Sequence, residues 1–527
     1  MKKVFLTFFA VLSFSAILLN SCKESELEDL YPDPAKSSTA TVDNFFTGIL
    51  QQANEVVMPW YWRLFVVEQP TLGHYTQTMG WLNGKDQYIP STSAMDWRWD
   101  TYYNGTMTQF RELEKLYGKM DENTKKDYRI FYLASKIFFY DQTEQVVDLY
   151  GDIPWTEAGK IRETGDLTTS LPKYDSAETI YNSMIDDLKS MGDELSTIQI
   201  PGFYANLFKG KDYLNNGDLN LWKKYCNSLR LRMLMRISDV NSSKAKAGIT
   251  EILSNGTKYP IIDNNAENIM LDAGGPDLFA TTSSKNGGIR SAMETWGQYD
   301  IAPYAMVKYL ADNNDPRLPV IFDANKKGEY VGLNPLDNES VQNQKLVDGL
   351  VSRYDTSTYT RNDYFPGFVI SAAEVSFIKA EAYQKGLASG GDAKTAYETG
   401  IKQSVEFYYN VNSTGVFRAA LTRPTEAQLS VYLAGAAIAW DTNSDKIGLI
   451  ASQKWVNSGL GGMPQTWAEL RRLDKPVLTF LKDNSSQQTV PPVRWLYPNS
   501  EKKLNADNYS AVSAKDNLNT KIFWDKN

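Results

Sequence analysis

The chain has 527 residues, a formal net charge of −8 and one histidine among 63 acidic and 55 basic side chains. An acidic balance argues against nucleic-acid binding, which rests on clustered Lys and Arg, and a lone histidine excludes His-clustered zinc centres and the H-E-x-x-H helix. Two cysteines supply no disulfide framework, so a chain that is 42% hydrophobic must rely on its core for stability.

Residues 1–21, MKKVFLTFFAVLSFSAILLNS, place Lys2 and Lys3 before an apolar run from Val4 to Leu19. That is the layout of a secretion signal, and the run is too short to span a bilayer comfortably. Ser21 directly before Cys22 reads as a bacterial lipobox, LNSC, which predicts cleavage and acylation of Cys22. Each buried CH₂ of an acyl chain contributes about 0.8 kcal/mol, so several chains anchor a soluble body firmly. The acids that follow, Glu24, Glu26, Glu28 and Asp29, resemble the export tag of surface-exposed lipoproteins in Bacteroidetes-type bacteria. Residues 22–42, with Pro32 and Pro34, read as a tether between lipid and body. No later apolar run is long enough to cross a membrane.

From about 43 to 255 the periodicity is helical. Trp222, Tyr225, Cys226, Leu229, Met233 and Ile237 form one apolar stripe, with Asp218 placed to cap the helix. Cys226 lies on that stripe, so packing is its expected role. Similar stripes cover about 124–147 and 176–195, the latter with Ile180, Met184 and Leu188 four apart. Residues 256–370 are richer in Gly, Asn, Asp and Pro and predict an irregular, loop-rich subdomain of the length that usually carries function. Ser371-Ala-Ala-Glu374 is a capping-box pattern, Gly386–Gly391 a loop, and Asp392 a cap; Ala393, Ala396 and Gly400 would let two helices approach closely. A further helix pair is expected at about 444–474, and a loop-like tail from Pro491 onward. The fold class is therefore mainly α, built of tetratricopeptide-like helix pairs without a clean 34-residue repeat. Residues 43–527 read as one helical domain interrupted by the loop-rich insertion.

Residues able to carry covalent chemistry are sparse. A Ser-His-Asp triad would need His74, and no G-x-S-x-G accompanies it. Gly80 to Lys85 misses the P-loop spacing by one residue and lacks its Ser/Thr. Asp312-Asn-Asn-Asp315 offers oxygens without EF-hand spacing, leaving a structural calcium site open but unsupported. No carboxylate pair can be singled out for glycoside hydrolysis. Aromatic content is what stands out: Trp60, Tyr61, Trp62, Tyr75, Trp81, Tyr88, Trp97, Trp99, Tyr102 and Tyr103, then Trp296, Tyr299 and Tyr304. Sugar faces stack on such rings while polar side chains take the hydroxyls. Most of these rings, Trp97, Trp99 and Tyr102 among them, are expected in the core. Those beside turn-forming polar residues are the ligand-contact candidates: Trp81, Tyr88 and Trp296, with Asp86 as a polar partner.

The same chain resembles the SusD/RagB family of nutrient-binding outer-membrane lipoproteins. The stretches that carry the likeness are DLYGDIPWTEA (148–158), PKYDSAETIYNSMIDDL (172–188), GDLNLWKKYCNSLRLRMLMRIS (217–238), NDPRLP (314–319), SAAEVSFIKAEAYQKG (371–386), IASQKWVNSG (450–459), TWAELRRLDKP (466–476) and RWLYPNSEKKLN (494–505). The resemblance implies a superhelix of helix pairs capped by an irregular ligand-binding region. It also implies a SusC-like TonB-dependent transporter as partner, and binding of oligosaccharides or peptides without catalysis. Trp222, Arg230, Trp467 and Arg471 would then be packing and pairing residues. The expected function is cell-surface glycan capture for that transporter. A surface glycoside hydrolase and a peptide-binding module remain the rival readings.

Overall fold

In a computed structural model the described residues are 40–165, 170–273, 289–295 and 300–527. The expected signal, Cys22 and most of the tether lie outside them, as do Trp296 and Tyr299. The scaffold helices are α1 (Val42–Val56), α2 (Arg129–Tyr150), α3 (Ala177–Leu195), α4 (Leu219–Arg236), α5 (Ser242–Ser254), α6 (Ala372–Gln384), α7 (Ala393–Thr414), α8 (Lys446–Ser458) and α9 (Met463–Leu473). They start where the sequence offers an oxygen to the free N–H groups of the first turn. Asp218 accepts from the Asn220 and Leu221 amides, Ser176 from Thr179, and Asp392 from Thr395. Ser371 caps α6 through the Glu374 amide, but the capping box is incomplete. The Glu374 carboxylate accepts instead from Arg232 of α4, at 3.4 Å, because that partner is a buried cation.

Successive helices pair: α3 with α4, α4 with α5, α6 with α7, and α8 with α9, while α6 also packs on α4 and α8. The stripes read from the sequence face these contacts. Ile180, Met184 and Leu188 are fully buried, as are Trp222, Tyr225, Cys226, Leu229 and Met233. Burying each such side chain contributes about 1.5–3 kcal/mol. The Cys226 thiol is sealed in this core, and burial pushes its pKa up to about 12, which leaves it unreactive. In the α6–α7 pair a Cβ at Gly400 would lie 2.6 Å from the Phe377 ring, so glycine is what allows the helices to meet there. Polar pins join the layers: Arg230 to Glu251 at 2.6 Å, Arg471 to the Asp148 carbonyl of α2 at 2.9 Å, and Arg472 to Glu381 at 2.6 Å.

The insertion is less irregular than its composition suggests. It contains the short helices Tyr304–Asp312, Leu318–Ile321 and Glu339–Val347, and closes through an antiparallel pair, Ile269–Leu271 with Gly367–Ile370. The C-terminal tail also departs from the loop reading. It passes the end of α2, where the Trp495 amide donates to Leu149 O at 2.8 Å, forms the helices Asn499–Leu504 and Ala506–Tyr509, and returns to α2, where the Trp524 indole donates to Asp148 at 2.8 Å. Asp315, half of the unsupported calcium reading, is fully buried and held by Arg317 through both oxygens at 2.9 and 2.6 Å, while Asp312 pairs with Lys308 at 2.6 Å. These carboxylates are committed to separate cations, and the described residues hold no cluster fit for a metal.

Candidate ligand-binding site

Three consecutive residues organise the site. Trp81 lines a surface cavity, Leu82 packs on a satellite core of Ile301, Leu333, Leu346 and Val351, and Asn83 ties the loop to the insertion. Asn83 donates its side-chain amide to the carbonyls of Pro335 and Asp337 at 2.7 and 2.6 Å, and its backbone N–H to Gln342 at 2.7 Å. Just before them, Gly80 donates to Ile301 O at 2.9 Å; a Cβ there would sit 2.4 Å from the Ile301 side chain. Only glycine allows this approach, which brings Trp81 beside the start of the Tyr304–Asp312 helix.

The cavity is a shallow surface cleft of about 280 Å³, open solvent at its mouth included, and is lined by His74, Gln77, Met79, Gly80, Trp81, Pro303, Tyr304, Leu333, Pro335 and Phe480. Tyr304 is 37% exposed and Trp81 half-buried, so both rings remain reachable from solvent. Behind Trp81 the rings continue inward. His74 stacks on Trp81 at 5.7 Å and on Tyr88 at 5.0 Å, within 26° and 19° of parallel. Tyr88 in turn meets Phe480 edge-on at 6.1 Å and donates its hydroxyl to Leu481 O at 2.7 Å. Burial lowers the His74 pKa to about 3, so the imidazole is neutral at physiological pH and is no general base.

Gln77 holds the third wall. Its backbone sits at φ +47°, a left-handed conformation that costs a non-glycine residue about 1–3 kcal/mol and is kept where the surroundings enforce it. Its Nε2 donates to Thr479 O at 2.6 Å, fastening the loop that carries Phe480.

The sequence-derived candidates therefore divide. Trp81 lines the cavity. Tyr88 is only 1% exposed and supports the ring stack from behind, so the structure corrects its reading as a ligand contact. A loop ring and a core ring look alike in sequence, and the turn at 84–87 folds this one inward. Asp86 is exposed at that turn, at φ +60°, and does not line the cavity. Trp296 lies outside the described residues. The sequence does not single out Gln77 or Phe480, and it offers Tyr304 only as part of an aromatic patch. These three are brought together across more than 400 positions of chain, and no local spacing announces them.

Two larger openings, of about 500 and 510 Å³ with open solvent included, lie elsewhere: one among α4, α6, α8 and α9, the other between the end of α1, the Gly367–Ile370 strand and the α8–α9 turn. Their charged linings are largely occupied with one another: Arg232 with Asp141 and Glu144, Lys454 with Glu469, Arg236 with Gln465. The aromatic cavity sets rings and polar groups side by side with no charged side chain among its described lining residues, a combination suited to stacking a sugar face and bonding its hydroxyls.

Helix pairs that support such a cavity through a loop-rich insertion define a helical ligand-binding scaffold, and the comparisons give it a family. Residues 38–498 match the SusD-like family model described as starch-binding and associating with the outer membrane, and the chain belongs to this SusD-like family. Among solved structures it is similar to a chitin-binding protein at 21% identity and a TM-score of 0.73, covering 92% of this chain and 100% of that one. A SusD homologue from Bacteroides fragilis matches at 19% identity and 0.71, over 92% and 100% of the two chains. A chitin-binding SusD homologue from Flavobacterium johnsoniae matches at 21% and 0.66, over 92% and 99%. At these identities the likeness establishes the fold. Among curated proteins no sequence match was found.

Proposed function

We propose that this chain is a lipid-anchored protein of the bacterial outer membrane that captures glycan at the cell surface and passes it to a SusC-like TonB-dependent transporter. Residues 1–21 act as the signal, Cys22 carries the lipid, residues 22–42 form the tether, and residues 43–527 the binding domain with its insertion at about 256–370. The observation that carries the reading is the solvent-reachable pairing of Trp81 and Tyr304 in one cavity with Phe480. The family's starch-binding, outer-membrane description and the chitin-binding relatives support it.

The binding reading is favoured over hydrolysis by the lining itself. It contains no carboxylate among the described residues, whereas glycoside hydrolysis commonly uses two, held roughly 5–9.5 Å apart. Each stacked ring contributes about 0.5–1.5 kcal/mol beyond burial, so affinity is modest and release is easy. Incubation with a panel of polysaccharides should give retention in affinity gels and no new reducing ends. Release of reducing ends would point to the hydrolase, and retention of peptides in place of polysaccharides to the peptide module.

A further inference from the structure

Among the described residues that line the aromatic cavity, none is an Asp, Glu, Lys or Arg. His74, the one ionisable base there, is surrounded by rings and stays uncharged at neutral pH. A charged ligand would enter this lining without a counter-charge, and an uncharged one loses little.

The polar group best placed to distinguish ligands is Gln77. Donation of its Nε2 to Thr479 O fixes which end of the amide is which. The other end, Oε1, is an acceptor without a hydrogen-bond partner among the described residues, on a cavity-lining residue only 5% exposed.

We infer that the cavity selects an uncharged sugar and that Gln77 is its specificity-determining residue, with Oε1 accepting a hydrogen bond from a ligand O–H or N–H. This rests on the glycan-binding reading above and deepens it. A site built to accept such a bond rejects a ligand that leaves the acceptor unpaired.

The test uses the full-length protein in detergent, titrated with maltohexaose and chitohexaose as uncharged probes and with hexagalacturonate and a heparin hexasaccharide as charged ones. At least one uncharged probe should bind, with affinity changing less than about twofold between low and high salt, and neither charged probe should. Gln77→Met should weaken that binding about tenfold. Gln77→Met also loses the bond to Thr479 O, so melting temperature is measured in parallel: weaker binding with the melting temperature held is the acceptor's signature, whereas weaker binding with an equal loss of stability shows a purely structural Gln77 and overturns the inference. A Gln77→Met penalty on chitohexaose alone identifies the acetamide N–H as the donor, and a penalty on both sugars identifies a hydroxyl. Salt-sensitive binding of a charged probe, or a Gln77→Met variant that binds like wild type, overturns the inference. If Trp81→Ala abolishes binding while Gln77→Met does not, the inference fails and the glycan reading stands. If no sugar binds at all, both fail.

Discussion

The imidazole of His74 lies on the phenol of Tyr88, ring centroids 5.0 Å apart and 19° from parallel, and stacks on Trp81 as well at 5.7 Å. This stack turns a loop tryptophan into a braced platform. It also buries the chain's one histidine deeply enough to suppress its protonation.

His74 therefore makes stability depend on pH in a definite direction. An unfolded imidazole binds a proton near pH 6.5 and the folded one only near 3, so between those values the unfolded state holds more protons and stability falls as pH falls. The slope due to this residue approaches about 1.4 kcal/mol per pH unit. Denaturant unfolding at several pH values should show this component in the wild type and lose it in His74→Phe. Because the histidine is unique, NMR can follow its ring directly. A titration midpoint near 6.5 in the folded protein would contradict the buried stack.

Asn83 is the clamp that sets Trp81 against the insertion. Asn83→Ala leaves the Pro335 and Asp337 carbonyls without their donor, at a cost of about 1–3 kcal/mol. Sugar affinity should fall as well, although Asn83 does not line the cavity. Calorimetric titration beside urea unfolding measures both effects, and unchanged affinity would show that the loop holds its place without the clamp.

Asp315 and Arg317 form a fully buried pair, completed by Ser404, Tyr432 and Gln453. Asp315→Ala leaves a guanidinium buried without its anion and should destabilise by about 3–5 kcal/mol. Replacing both partners with apolar residues should recover much of that loss. Chelation with EDTA should leave the melting temperature unchanged, since these oxygens are already occupied by Arg317. A large shift on chelation would revive the calcium reading.

What the sequence disclosed follows from which interactions are local. Capping by Asp218 and Asp392 and the stripe through Trp222 to Met233 depend on neighbours a few positions away, and the helices form where the spacing predicts. The close approach at Gly400 was legible as a small residue, though its partner Phe377 was not. The tail was misread because its order comes from distant contacts, Trp524 to Asp148 and Trp495 to Leu149. The site was half visible for the same reason. Trp81 stands beside obvious turn residues, but Gln77, Tyr304 and Phe480 become its neighbours only through Gly80, Asn83 and Thr479.

The most direct test of the account is Trp81→Ala, measured for affinity toward the polysaccharide that the wild type retains and for melting temperature in parallel. Loss of one stacking ring should weaken binding about tenfold with the melting temperature near that of the wild type. Unchanged affinity, or a collapse of the fold in place of a loss of binding, would contradict Trp81 as the platform that grips the sugar.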